Sequence, residues 1–353
     1  MKKKYIKIII SAVTIAMLGG IGISLKDFKP TKSLSEAEKI EILNEIKVYD
    51  TEDISKFIEL KNLIDENIEF YSEEERDIMI NKYSNAIYAS LGYLNEILYK
   101  VGYDLEDVIE KYNIDVTNPK TYKNIPKDYA TIKGFLEEVH TKGFILKYSN
   151  DVDAYIITAN QEEIYDKYGD LVSNSLAKML EFSAYEAKSE NVINSKEETV
   201  NLDEVAKRIT MIEEGVKADV EQGYDYIASW IGTQEEYYGA LIGANHTYFV
   251  ANDYLKQDIF NKYVELQEKY KDTQLGTVLE KIIEFYKSNG KKADSNSLKK
   301  VMDIIDAETK TEEIETKVKE YYDSVSKAFN EMMGEESAES VTEGVKTEEN
   351  KPE

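Results

Sequence analysis

The stretch YDYIASWIGTQEEYYGALIGANHTYFVANDYLKQDIF, residues 224–260, is the part of the chain from which the fold is best predicted. It contains the only tryptophan, Trp230, and one of the two histidines, His246. Gly239 and Gly243 are four residues apart, so both lie on one side of a helix. That side can approach a neighbouring backbone closely, because glycine has no Cβ. We therefore expect residues 224–260 to supply the central helices of an α-helical protein.

Helix starts are recognisable before this stretch and within it. In a capping box, a short polar side chain accepts a hydrogen bond from the backbone three residues on, and a glutamate there returns one. We predict that four pairs with this spacing cap helices: Ser72 with Glu75, Asn160 with Glu163, Asn201 with Glu204, and Thr233 with Glu236. Apolar residues follow these pairs at helical spacing. Helices are also predicted to start at Ser35 and at Asn252, and the helix from Ser72 is predicted to end at Gly102.

Residues 143–159 carry the clearest strand pattern in the chain. Two runs rich in β-branched and aromatic residues, 144–148 and 155–158, flank the polar residues 149–153, which are typical of a turn. Since the predicted connections are short and the strands few, the predicted fold class is mainly α. It is an antiparallel multi-helix assembly with one embedded β-hairpin at 143–159.

Composition divides the folded part of the chain into two predicted units. Residues 34–112 are predicted to form an N-terminal helical unit, and residues 132–333 a main helical unit that contains the hairpin. Between them, residues 113–131 hold two of the four prolines and show little periodicity, which is typical of an irregular connector. A long surface loop inside one domain is the alternative. Residues 334–353 lack aromatic residues and are rich in glutamate, so they are predicted to form a disordered acidic tail.

Residues 1–25 have the pattern of an export signal. Lysines are concentrated in residues 1–7, and residues 8–25 carry no charge. This uncharged run is at the lower edge of the length that spans a bilayer. A cleaved signal peptide and a retained transmembrane helix that holds the protein in the membrane both fit. In either case the lysines stay inside, so the rest of the chain is predicted to be extracytoplasmic, secreted or anchored in the cell membrane.

Charge and composition exclude several classes of function. The formal net charge is −25, from 44 basic and 69 acidic residues, which excludes nucleic acid as a partner. The chain has no cysteine, and its two histidines, His140 and His246, lie outside any metal-binding pattern, so we expect no metal site. It has no Walker loop, no dinucleotide-binding glycine motif and no nucleophile elbow. We therefore expect no cofactor.

An aromatic cluster is the strongest indication of a ligand site. Tyrosine and tryptophan combine an apolar ring with a polar tip, which suits sugars and peptides. The candidate ligand-binding residues are Trp230, Tyr237, Tyr238, Asn245, His246 and Tyr248. The alternative is that these rings form the core between packed helices. Asn245 and His246 would then be core polar groups that need hydrogen-bond partners.

The favoured function is non-enzymatic, because no complete catalytic set is present. We expect an extracytoplasmic interaction or ligand-binding protein at a bacterial cell surface, with a protein or a cell-wall glycan or peptide as its partner. The alternative is a cell-wall glycan hydrolase, which needs only carboxyl groups with shifted pKa values. Glu236 is then the candidate catalytic residue, although its place in a capping box already explains it.

Overall fold

The computed structural model describes residues 34–149, 153–189, 192–194, 199–223, 225–243 and 249–342. Helices dominate this part of the chain, and the predicted mainly α fold class is confirmed. The α-helices are α1 (Glu36–Lys47), α2 (Phe57–Asn67), α3 (Glu73–Lys111), α4 (Ala130–Thr141), α5 (Gln161–Tyr168), α6 (Asn174–Lys188), α7 (Leu202–Gln222), α8 (Ile227–Ile242), α9 (Gln257–Lys269), α10 (Gln274–Ser288), α11 (Ser295–Thr309) and α12 (Glu312–Thr342). Short 3-10 turns occupy Ile54–Lys56, Ile68–Phe70, Pro119–Asn124 and Lys127–Tyr129.

The predicted β-hairpin is present. Strands β1 (Phe144–Ser149) and β2 (Ala154–Ala159) are antiparallel, with Phe144 opposite Ala159 and Ser149 opposite Ala154. The described residues also contain two ladders of two residues per strand. These are β3 (Ile193–Asn194) with β4 (Thr199–Val200), and β5 (Val250–Ala251) with β6 (Tyr254–Leu255).

Most of the predicted helix starts are confirmed. Ser72 and Glu75 form a complete capping box, in which the Ser72 amide donates to the Glu75 carboxylate at 2.9 Å. Ser35 starts α1 in the same way. Asn160 and Asn201 each accept a hydrogen bond from the backbone amide three residues on. Short polar side chains at these positions satisfy amides that would otherwise lack a partner.

Two predicted starts are wrong. α8 begins at Ile227, and Thr233 lies inside it, where its hydroxyl donates to the backbone oxygen of Ser229 at 2.9 Å. The capping pattern at Thr233 and Glu236 is therefore coincidental, because the apolar residues before it already continue the helix. Asn252 does not start a helix either. It has φ of +52° and forms the turn between β5 and β6, since asparagine tolerates the left-handed region.

Helix α3 is longer than predicted. It runs without a break through Gly102 for 39 residues, about 58 Å at 1.5 Å per residue. Val101, Leu105 and Val108 are buried, so the apolar stripe continues beyond the glycine and holds the helix against the core. The residues that follow Gly102, up to Lys111, are therefore the last part of α3.

Two hydrophobic cores follow one another along the chain. The first contains buried residues from Leu43 to Leu180, and the second contains buried residues from Phe182 to Ile305. The predicted connector, 113–131, packs into the first core, where Tyr122 is buried and donates to the backbone oxygen of Val116 at 2.6 Å. The change from one core to the other therefore falls within α6, and a domain boundary at 113–131 stays a prediction.

The last helix packs against α8 near its start. Ile314 of α12 is buried against Ile227 and Ile231 of α8. α12 then continues to Thr342, so residues 334–342 of the predicted disordered tail are helical. Residues 343–353 and the predicted export segment, 1–25, lie outside the described residues. None of the described helices has the length and apolar composition needed to cross a membrane.

Candidate functional site

The aromatic rings predicted to bind a ligand lie in the second core. Trp230 is 2 % exposed and Tyr238 is 1 % exposed, and Tyr237 is also buried. The indole of Trp230 packs edge-on against Phe182, with ring centroids 5.9 Å apart, and covers Gly215 of α7. In this structure the three rings are packed inside the protein and do not line an open groove, and ligand binding by them stays a prediction. Dense aromatic residues on an apolar helix mark the place where α7 and α8 pack together.

Tyr237 ends in a buried polar network. Its hydroxyl donates to Glu186, and the same carboxylate is paired with Arg208, which is 2 % exposed. Arg208 also binds Glu204, with 2.9 Å between Nη1 and Oε2. Burial, together with the hydrogen bond to Glu186, raises the pKa of Tyr237 well above its usual value, so the phenol stays neutral. This network joins α6, α7 and α8, and removing one of its partners would leave the buried Arg208 without part of its pairing, which is strongly destabilising.

Tyr238 lies against a half-buried carboxyl group, that of Glu213 in α7. The phenol donates to Glu213 at 3.5 Å, and the amides of Gln274 and Leu275 at the start of α10 also donate to it. Burial raises the pKa of Glu213 to about 7, and these hydrogen bonds oppose the rise. Glu213 therefore changes its protonation state near neutral pH, at the point where α7 meets α10.

The remaining predicted site residues are not assembled into a site by the described structure. Asn245, His246 and Tyr248 lie outside the described residues, and binding by them stays a prediction. Glu236 is exposed on α8. A Cβ added at Gly239 would meet nothing within 4 Å, so this glycine does not mark a close helix contact. Gly243 ends α8 with φ of +66°, and there a Cβ would lie 2.6 Å from the ring of Phe249.

A cleft between the two cores is the best candidate for a ligand site. We call it the inter-core cleft. It has a volume of about 380 Å³ and lies between α3, α5, α6, α8 and α12. Pockets of this size at the junction of two folded units are common ligand sites. Its polar lining consists of Asn81, Ser84, Asn85, Tyr88, Gln161, Ser183, Asp225, Tyr226, Ser229 and Tyr321.

Hydrogen bonds between the cores fix the floor of the cleft. The side-chain amide of Asn81 in α3 donates to the hydroxyl of Tyr226 at 2.7 Å, and Tyr226 packs against both cores. Burial raises the pKa of Tyr226 to about 12, so its phenol is neutral. The Tyr226 amide in turn donates to Asp219, a fully buried carboxylate that also accepts from Ser175 at 2.7 Å.

The cleft differs from the rest of the surface in charge. Asp225 is the one charged residue among the described residues that line it, although charged residues make up 32 % of the chain. Amide and hydroxyl groups both donate and accept hydrogen bonds. Tyr88 and Tyr321 add exposed rings at the cleft. The arrangement therefore suits a neutral ligand that is rich in hydroxyl or amide groups.

The sequence contains only a weak signal for this cleft. Asn81, Asn85 and Tyr88 are spaced i, i+4 and i+7, which places them on one face of α3. Each residue type is ordinary on a helix surface, and the other walls come from distant parts of the chain. Comparison of the chain with protein-family models, curated proteins and solved structures finds no match. Within the part of the chain that the structure describes, no three potential metal ligands lie together.

Proposed function

We propose that this chain is an exported, non-enzymatic ligand-binding protein of a bacterial cell surface, and that the inter-core cleft holds its ligand. The observation that carries the proposal is a charge-poor cleft with convergent amides and hydroxyls in a strongly acidic chain. The basic and then uncharged pattern of residues 1–25 supports export. The two parts of the proposal are independent, so each has its own test.

The chemistry of the cleft favours a neutral glycan as the ligand. Tyrosine rings stack on the apolar faces of sugars, while amide and serine groups bond to their hydroxyls. Asn85 and Tyr88 are exposed on α3. In the described structure neither side chain forms a hydrogen bond to the rest of the protein that a substitution would break. Asn81 is less suitable for a test, because it already bonds to Tyr226.

Sedimentation with purified cell wall tests binding. The full chain is mixed with insoluble wall glycan, and the protein in the pellet is measured. We expect Tyr88→Ala to weaken retention about tenfold, because one stacked ring contributes roughly 1 to 1.5 kcal/mol to the binding free energy. Tyr254→Ala is the matched control, because Tyr254 is also an exposed tyrosine but lies on β6, away from the cleft.

Two results would count against the proposed function. Retention that is the same in Tyr88→Ala and the wild type places the ligand elsewhere. Clearing of the wall by the wild type, lost in Glu236→Gln, identifies a glycan hydrolase instead. Export is tested separately, with a reporter that is active only outside the cell fused after Lys29. An inactive fusion would contradict the proposed extracytoplasmic location.

A further inference from the structure

A second groove lies on the other end of α3, where the helix meets the hairpin. It has a volume of about 510 Å³ and is lined by α3 and by the start of β2. We call it the tyrosine groove, after Tyr99, Tyr103 and Tyr155, which line it. Tyr99 is 88 % exposed and Tyr103 is 94 % exposed. Rings this open to water contribute little to the core, so folding alone does not account for them.

Gly102 gives independent evidence that the groove is kept open. A glycine inside a helix makes the helix less stable than an alanine would. A Cβ added at Gly102 would meet nothing within 4 Å, so packing does not require glycine here. Gly102 lines the groove between the two exposed tyrosines, and any side chain at this position would occupy its space.

Two carboxylates complete the lining of the groove. Glu106 lies one turn beyond Gly102 on α3, and Asp153 precedes β2. The hydroxyl of Tyr148 donates to Asp153 at 2.8 Å, and the Tyr148 ring packs edge-on against Tyr155 at 5.4 Å. These contacts fix both the ring and the carboxylate before a ligand arrives. In the described structure, neither Glu106 nor Asp153 forms an ion pair with a lysine or arginine.

The combination of rings and carboxylates specifies a cation. A cation above a tyrosine ring is attracted by the negative face of the ring. Covering a carboxylate with a neutral ligand costs desolvation energy, which a positive group offsets. The groove extends from Asn95 to Glu106, about 16 Å along the helix, which is longer than a single ammonium group and matches about five residues of extended chain.

We propose that the tyrosine groove binds an extended peptide segment that carries lysine or arginine side chains. The backbone lies along α3, the basic side chains reach Glu106 and Asp153, and their stems cover the tyrosine rings. This site is separate from the inter-core cleft, since no residue lines both. The net charge of −25 attracts a basic partner from a distance, and the groove supplies the specific contacts.

Filling the groove tests the proposal. The probe is a fluorescent hexapeptide of alternating lysine and glycine, titrated with the full chain and followed by anisotropy. We expect Gly102→Leu to weaken binding at least tenfold while the helix keeps its stability. Gly92→Leu is the matched control, because Gly92 also lies in α3 with nothing within 4 Å but does not line the groove. We expect its affinity to equal that of the wild type.

Charge is tested by a second pair of variants. Glu106→Gln is expected to weaken binding three- to tenfold and to reduce its dependence on salt. Glu96→Gln removes the same charge from α3 outside the groove, and its affinity is expected to change less than twofold. Equal losses in both variants would show attraction by overall charge alone and overturn the site. The proposal is also overturned if the lysine peptide binds no better than a glutamate peptide, or if Gly102→Leu binds as the wild type does.

Discussion

Aromatic residues of α8 and aromatic residues in the second half of α3 lie in opposite surroundings. Trp230 and Tyr238 of α8 are buried between helices, whereas Tyr99 and Tyr103 of α3 are almost fully exposed. Trp230 stands in a run of apolar and small residues, whereas Tyr99 and Tyr103 are each followed by a charged residue, Lys100 and Asp104. The difference teaches that residue type alone does not decide whether an aromatic ring packs in a core or stays open to solvent.

The largest expected effect comes from truncating one ring of each kind. Trp230→Ala leaves a cavity between α7 and α8, and we expect the free energy of unfolding to fall by about 3 to 5 kcal/mol. Tyr103→Ala removes a ring that is surrounded by water, so the expected change is within about 0.5 kcal/mol. Denaturant unfolding of the two variants and the wild type measures both. Similar losses would show that the contrast between the two regions is wrong.

The pH dependence of stability tests the buried side of the comparison. Burial raises the pKa of Glu213 from 4.5 to about 7 in the folded protein. Between these values the folded state binds more protons than the unfolded state, so stability falls as the pH rises. Below pH 4.5 Glu213 is neutral in both states and does not lower the free energy of unfolding. Above pH 7 its full destabilising effect is present.

Substitution isolates this group from all others that titrate. Glu213→Gln keeps the shape of the side chain and stays neutral, so it removes the fall in stability with rising pH. We expect the stability of the variant relative to the wild type to increase by about 2 to 3 kcal/mol between pH 5 and pH 8. Unfolding curves at several pH values measure the difference. A constant difference across this range would show that Glu213 has an ordinary pKa.

The smallest effects come from two glycines on neighbouring helices. A Cβ at Gly215 of α7 would lie 2.3 Å from Cζ2 of Trp230, so Gly215→Ala should overpack the core and lower stability by about 1 to 2 kcal/mol. Gly239 of α8 has open space, and Gly239→Ala should raise stability by about 0.5 to 1 kcal/mol. Thermal melts of the pair give the sign of each change. Two changes of the same sign would contradict the packing described for Trp230.

Local signals in the sequence predicted the elements well. The caps at Ser35, Ser72, Asn160 and Asn201 are confirmed, because a cap depends on residues within one turn of the helix. The hairpin is confirmed for the same reason, since its strands and turn are adjacent in the chain. Thr233 failed because the same four-residue pattern also fits the inside of a helix, where the preceding residues decide.

The candidate sites could not be predicted in the same way. The inter-core cleft brings Asn85, Gln161 and Ser229 together from three helices. These residues are far apart in the sequence, so no local pattern predicts that they come close. The exposed tyrosines of α3 share the i, i+4 spacing of a core stripe, and the 27 tyrosines of the chain hide them further. Gly102 is not a clear local clue either, because Gly92 also lies inside α3 with open space around it and does not line the groove.

Because α3 is unbroken, it fixes the distance between the two proposed sites. Asn85 and Gly102 are 17 positions apart by number, which corresponds to about 25 Å along the axis and about 100° around it. A partner that joins a glycan to a basic peptide, with a linker long enough to wrap this quarter turn, would engage both at once. Its second contact would then form at an effective concentration in the millimolar range, so two weak sites would give strong avidity. A helix broken at Gly102 would set no such spacing.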